Sequence, residues 1–361
     1  MNLLLYPYTK KNRFLLPGNG KDKITGVCAR NSHSVDMDYL NSHGIFFCTS
    51  LMEKIEKVDG ILFYPDHMAV TLERTRKRLL DEIKLCLNSG KQVFCVMELS
   101  DEETHMLKQL DGENGHFHQT APFFNRSSLG VGEGIMEPCD TPMIYIGAIC
   151  EGLMTEEFTL QISNALKKRG YRVCTVLDDP CAKLAGCHPT PKFLYEKSHD
   201  ADKVFRFHNE ILALNKSETP DVFVIQIPGS IYPLCQNLYS DLAMKCLYYS
   251  RAFCPDVFFC ITPSNLCDAG MITQIHEDAK VRYGYGIDAV LCRQLYLDKQ
   301  DAFQYGQISL MPVRQPDRGV QTLSCGEDQI LTVSEKEAGA EELFCDLIEK
   351  ILVNEDGFET L

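Results

Sequence analysis

Short apolar runs bounded by turn residues alternate with stretches of helical period along almost the whole chain, and few architectures accept that alternation. Asn2–Tyr6, Lys23–Ala29, Gly44–Cys48, Gly60–Tyr64 and Gln92–Met97 are of strand length and rich in strand formers. Between them Ser50 is placed to cap a short helix through Lys57. Residues 71–88 carry Leu72, Leu79, Ile83 and Leu87 at helical spacing before Ser89-Gly90 ends the run. Ser100 and Glu103 have the spacing of a capping box, which predicts a helix through Leu110. Strands that alternate with helices predict a parallel sheet covered on both faces.

From Asp111 the period fades into a glycine- and proline-rich stretch that reads as loop and linker. His116 and His118 fall there, and with no third ligand at useful spacing they read as an exposed loop pair. A second α/β series starts at Met143. Its strands are Met143–Ala148, Arg172–Leu177, Asp221–Ile227, Asp256–Thr262 and Ile287–Leu295. Its helices cover about 155–169, 199–214 and 237–251, with one more after Pro263. A weak strand near 307–313 and a final helix at about 336–352 complete the reading.

Composition removes several classes of function. The chain has 361 residues, 45% apolar and 24% charged, which suits two ordinary globular domains. With 50 acidic against 36 basic residues its formal charge is -14, opposite to what nucleic acid or anionic lipid requires. The one basic run, Arg74, Arg76, Lys77 and Arg78, reads as a solvated helix face. No segment has the ~18 apolar residues of a membrane span, and the start, Met1 to Pro7, lacks a signal peptide's basic region. A cytoplasmic location without membrane is therefore expected. Seventeen cysteines is a high count. Many, such as Cys48, Cys95, Cys174 and Cys260, sit inside apolar strands, where free thiols acting as small hydrophobes are expected.

The second series carries the most informative constellation. Strand Met143–Ala148 runs into Gly147-Ala148-Ile149-Cys150-Glu151-Gly152-Leu153-Met154-Thr155, and a helix follows at once. The two glycines have the spacing of a P-loop, whose backbone amides and helix N-terminus cradle phosphates. That motif continues with Lys and Ser/Thr; here Leu153 and Met154 stand in their places. Leucine supplies no charge for the phosphates, and methionine no hydroxyl for Mg²⁺. Glu151 adds a repelling charge, and Thr155, one residue late, is expected to cap the helix.

The elements that follow resemble those of the deviant P-loop ATPases of plasmid partition and septum placement. Leu177-Asp178-Asp179-Pro180 is similar to that group's D-x-D-P strand end, with Asp179 and Pro180 matching. Asp221 to Gly229 is similar to its apolar strand ending in D-x-P, with Gln226 in the aspartate's place. The expected fold is thus two parallel-sheet α/β domains. Residues 1–125 form a Rossmann- or flavodoxin-like domain and 126–142 a linker. Residues 143–313 form a P-loop-like domain with a degenerate phosphate loop, and 314–361 a C-terminal extension ending in a helix. Gly147, Glu151, Gly152, Thr155, Asp179, Gln226 and Gly229 are the residues expected at the degenerate site. A nucleotide held by backbone amides is the one cofactor left open, with no metal and no catalytic residue. Losing both the lysine and the metal-holding acid removes several kcal/mol of transition-state stabilisation.

Other constellations are weaker. Cys181, Cys187 and His188 cluster in a proline-rich loop, and Cys254, Cys260 and Cys267 flank a core strand. No C-x-x-C exists, so packing is the expected role of both groups. Asp66 and His67 follow a strand at the end where α/β sheets place ligands, with helix capping the plainer role for Asp66. Ser264 and Asn265 have a similar position and no evident partner.

Over most of its length, to about Leu310, the sequence resembles the peptide maturation system proteins. These accompany radical SAM maturases of Cys-rich ribosomal peptides in Clostridium-like bacteria. The likeness rests on Leu4-Leu5-Tyr6-Pro7, Val58 to Phe63, Glu157 to Gln161, Lys168 to Val173, and Pro220-Asp221-Val222 through Ile231. Cys254-Pro255-Asp256 and Gly284 to Asp288 extend it. It implies an accessory protein of peptide modification, expected to be non-catalytic from the lost loop lysine and metal-holding acid, that binds a radical SAM maturase, a carrier protein or a Cys-rich precursor peptide. The alternatives are a nucleotide-binding or weakly hydrolysing P-loop enzyme of peptide modification and a small-ligand sensor.

Overall fold

The computed structural model describes residues 1–16, 23–29, 35–65, 70, 72–97, 99–119, 136–196, 198–234, 243–298, 300–302, 308–313 and 319–355. They group into two units: Met1–Asn125 with Asp179–Lys192, and Arg126–Asp178 with Phe193–Leu361. Among the described residues no helix is long and apolar enough to cross a membrane. Asp66 and His67 lie outside the described residues.

The first unit has six strands: β1 (Asn2–Tyr6), β2 (Lys23–Cys28), β3 (Phe46–Cys48), β4 (Gly60–Phe63), β5 (Gln92–Cys95) and β6 (Phe117–Gln119). All pairings are parallel, in the order β3-β2-β1-β4-β5-β6. That is the strand order of the dinucleotide-binding fold. β1 can be central because Leu3, Leu4 and Leu5 are all buried, so both its faces are covered. Helices α1 (Met37–Ser42), α2 (Glu73–Asn88) and α3 (Asp101–Asp111) intervene. The turn after β1 is not a dinucleotide turn. A 3-10 helix, Lys10–Leu15, follows, and buried Asn12 holds the loop by donating to the Pro7 carbonyl at 3.0 Å and accepting from the Thr9 amide at 2.9 Å. With no glycine between Pro7 and Leu16, the backbone has no close approach to offer a pyrophosphate.

The capping box of α3 forms: the Ser100 hydroxyl accepts from the Glu103 amide at 3.2 Å and the Ser100 amide donates to the Glu103 carboxylate at 2.8 Å. Three local expectations are corrected. Ser50 caps no α-helix, because 51–57 folds as two 3-10 turns too short to nucleate one. Arg76 does not lie on a free solvated face; it pairs through two nitrogens with Glu103, at 2.8 and 2.5 Å, which holds the Glu103 carboxyl below its usual range. His118 is not in a loop but on β6, stacked on Phe94 at 4.9 Å, with its ring 2.6 Å from the Gln92 side-chain oxygen.

In the second unit a parallel core runs from β7 (Met143–Ala148) through β8 (Val173–Leu177), β10 (Val222–Gln226), β11 (Val257–Pro263) and β12 (Ala289–Arg293). The two-residue strand β9 (His188–Pro189) lies in the segment that groups with the first unit. Helices α4 (Thr155–Lys168), α5 (Asp200–Glu218), α6 (Met244–Ala252) and α7 (Ala269–Tyr283) alternate with the strands. β7, β10 and β11 are buried along their whole length, so they read as unbroken apolar runs. A short antiparallel pair, β13 (Leu295–Leu297) and β14 (Leu310–Pro312), follows β12.

The described part of the expected extension, residues 319–355, belongs to the second unit's sheet and core. β15 (Val320–Cys325) and β16 (Asp328–Ser334) form a hairpin, and β16 pairs in parallel with β12. The strands of this unit therefore run β15-β16-β12-β11-β7-β10-β8. The last helix, α8 (Ala340–Glu355), closes over α4: Phe344, fully buried, meets Phe158 at 4.8 Å and Phe259 at 4.9 Å edge-on. At the C-terminus of α4, Arg169 pairs with Glu342, Asp346 and Glu349 of α8 at 2.7, 2.7 and 2.9 Å.

Cys267, expected only to pack beside a core strand, is instead bonded. Cys267 and Cys292 form a disulfide. Cys267 follows β11 and Cys292 lies on neighbouring β12, so strand pairing brings residues 25 apart in sequence to a Cα separation of 6.1 Å. The other described cysteines are thiols, buried apart from half-buried Cys139 and exposed Cys254.

Candidate phosphate-loop site

From β7 the chain passes to β8 on one side, returns to β10 beside β7, then crosses to β11 on the other side. The reversal puts a topological switch point at the carboxyl end of β7, the position where open α/β sheets hold ligands. Gly147 and Gly152 bracket the loop there. A Cβ on Gly147 would stand 2.3 Å from the Ile231 methyl, so the strand end accepts only glycine beneath that side chain. Gly229, at φ +75°, turns the chain after β10 and delivers Ile231, whose amide donates to the Ala148 carbonyl at 2.9 Å. The Ile149 amide is likewise engaged, by the Ile261 carbonyl at 3.1 Å. Gly152, exposed at the loop's outer turn, has φ +86°, a conformation glycine adopts without strain.

Leu153, in the lysine's place, has no exposed surface and belongs to the apolar core of this unit. Met154 adopts the left-handed conformation, φ 53°, and occupies the N-cap position without a side-chain cap bond. Thr155 is therefore not the cap. It is the first helical residue, buried, and its carbonyl accepts from the Thr159 hydroxyl at 2.8 Å.

The cation nearest in function to a loop lysine comes from β12. Arg293 is 6% exposed and donates through Nη2 to the Met154 carbonyl at 3.0 Å. Its Nη1 faces Glu335 at 3.4 Å and Glu157 at 3.6 Å. The guanidinium thus ties the helix entry to β12, with its charge answered by two carboxylates. Sequence reading missed Arg293. A charged residue closing the apolar run Ala289-Val290-Leu291-Cys292 at the carboxyl end of a parallel strand was the available signal.

Gln226 is 3% exposed and uses both ends of its amide. Its oxygen accepts from the Asp178 backbone amide at 2.8 Å, and its nitrogen donates to Glu156 at 3.0 Å. It thereby links the end of β8 to the first turn of α4. Burial raises the Glu156 carboxyl above its ordinary value, against the hydrogen bonds from its own backbone amide and Gln226. Asp178 accepts from the Tyr195 hydroxyl, and the Lys245 ammonium lies 4.8 Å above the Tyr195 ring. Burial lifts the Asp178 carboxyl to about 6; Tyr195 and Lys245 oppose the shift, while Glu156 and exposed Glu151 add to it. Asp179, expected at this site, groups instead with the first unit. Its two oxygens accept from the Cys181 amide at 2.6 Å and the Tyr64 hydroxyl at 2.5 Å. The acid that β8 delivers to the loop is Asp178.

An acid with a raised folded pKa binds more protons folded than unfolded. Stability should therefore fall as pH rises from about 4 through about 6 and stay level above. Asp178→Asn removes that contribution. Denaturant midpoints should show the variant gaining more on wild type at pH 7 than at pH 4, with the residual slope due to Glu156. An equal difference at both pH values would mean Asp178 does not titrate in this window.

The loop frame, the switch-point position and the adjacency of β7 and β10 are those of a P-loop-like unit. The side chains invert its electrostatics: Glu151, Glu156, Glu157 and Asp178 gather where phosphate oxygens would need cations. No protein-family model matches the sequence, and no curated protein matches it significantly. Among solved structures, a DUF1611 family protein from Anabaena variabilis is similar at TM-score 0.59 and 13% identity, over 81% of this chain and 87% of that one. Chloroplast FtsY from Physcomitrella patens gives TM-score 0.31 at 13% identity, over 88% and 90%. A scyllo-inositol dehydrogenase from Lactobacillus casei, solved with NAD(H) and scyllo-inositol, gives 0.28 at 9%, over 98% and 87%. The last two scores are too low to carry an argument. This chain is an α/β protein similar in fold to the DUF1611 family structure.

Proposed function

We propose that the chain is a non-catalytic accessory protein of a ribosomal-peptide maturation system, binding a radical SAM maturase, a carrier protein or the Cys-rich precursor peptide. One observation carries the non-catalytic half: Leu153 is fully buried where a P-loop holds its lysine, and the neighbouring cation, Arg293, is engaged by Glu157, Glu335 and the Met154 carbonyl. Nucleotide cleavage needs a charge aimed at the developing phosphate oxygens, and a buried leucine offers none. Gln226, with both amide ends occupied, is equally unavailable to a metal-bound water. The maturation setting is supported by the sequence resemblance alone, which runs from Leu4 to about Leu310.

Co-expression of the tagged chain, pairwise, with a radical SAM maturase, a carrier protein and a Cys-rich precursor peptide of its host tests the reading. A stoichiometric complex with at least one of them, surviving purification without nucleotide, is the expected result. Recovery of the chain alone from all three pairings would overturn it.

A further inference from the structure

A cavity of about 170 Å³ lies in the second unit, walled in part by the Cys267–Cys292 disulfide. Asp268, Gln321, Thr332 and Ser334 also line it, which gives the sulfurs a polar approach. Both cysteines are 5% exposed, so a reagent meets them from the cavity and not from open surface. The volume suits a small side chain or the reactive end of a small molecule, and the one reactive bond in the wall is the disulfide. We propose that Cys267 and Cys292 form a reversible thiol–disulfide site that exchanges with a low-molecular-weight thiol entering this cavity. The proposal goes beyond the accessory role and does not depend on it.

In the reducing direction the incoming thiolate attacks the Cys292 sulfur. The protein S–S bond breaks and its electron pair leaves on Cys267, giving a mixed disulfide. A second thiolate attacks the small-molecule sulfur of that mixed disulfide, releasing the free symmetrical disulfide and the Cys292 thiolate. The two protein thiolates take up the two protons that the small thiols gave up. Two electrons pass to the protein; two thiols are oxidised to one disulfide. Cys267 is the better leaving group because it immediately precedes the amino end of the 15-residue helix α7, where amide groups favour a thiolate, although Asp268 already holds the Met271 amide at 3.0 Å. Competing thiols are subdued: burial pushes Cys86, Cys95, Cys150 and Cys345 up to about 12, which keeps them protonated at neutral pH.

The full folded chain equilibrated with glutathione and glutathione disulfide at stepped ratios, acid-quenched, alkylated and mapped by mass spectrometry, tests the site. The pair should interconvert reversibly between disulfide and dithiol, with a glutathione adduct trapped on Cys292. Gln321→Trp, on an exposed strand position at the cavity wall, should slow conversion by roughly tenfold or more without changing the unfolding midpoint. Conversion only in denaturant, a dithiol at every ratio, or an unchanged rate in Gln321→Trp would each overturn the proposal.

Discussion

Phe344→Ala should destabilise the second unit by about 3–5 kcal/mol, the range for deleting a fully buried phenylalanine whose cavity cannot collapse. The size follows from where the ring sits. It is the apolar contact through which α8 meets both Phe158 of α4 and Phe259 of β11. Two of its neighbours are themselves rings held by the helix and the sheet, so neither can shift to fill the space without moving its element. The Arg169 pairs with Glu342, Asp346 and Glu349 flank this contact on the surface. Their carboxylates are half-exposed or exposed, so they add little and cannot hold α8 alone. Guanidinium unfolding followed by circular dichroism should show the loss. Leu110→Ala, at an exposed position on α3, should change the midpoint little. An undiminished midpoint in Phe344→Ala would mean that α8 is, after all, an appendage.

Leu153→Lys is the second large effect, and its direction is informative. By sequence it restores the motif's lysine; by structure it places an ammonium in the apolar core at a position with no exposed surface. A buried charge without a partner costs about 3–5 kcal/mol, Arg293 already occupies Glu157 and Glu335, and Gln226 donates to Glu156. The variant should melt earlier and gain no affinity for ATP. Leu153→Met, similar in volume, should cost less than about 1.5 kcal/mol. Wild-type stability in the lysine variant, together with new nucleotide binding, would show that the loop can present a side chain outward.

The parallel core was legible because its strands are apolar on both faces. Asn2–Tyr6 and Met143–Ala148 stand as read, and the Ser100 cap follows from spacing alone. Short or half-exposed elements were not legible. β6 is three residues long and holds its place by stacking His118 on Phe94. β15 alternates too little to signal a strand, since five of its six residues face outward at least in part. At the site, the loop glycines could be read from their spacing, and Gln226 from its place at the end of an apolar strand. The partnership of Asp178 with Gln226, and of Arg293 with the Met154 carbonyl, joins residues 48 and 139 apart, and only strand order brings them together. Asp179 was favoured over Asp178 because a motif match ranks positions by neighbours in sequence, whereas Tyr64 claims Asp179 through the fold.

The central claim is electrostatic: the loop after β7 has the backbone of a phosphate site and the charges of its opposite. Calorimetric titration of the intact chain with ATP and GTP in excess Mg²⁺ addresses it directly. No saturable heat up to millimolar nucleotide and no phosphate release are expected. Micromolar affinity with measurable turnover would contradict it.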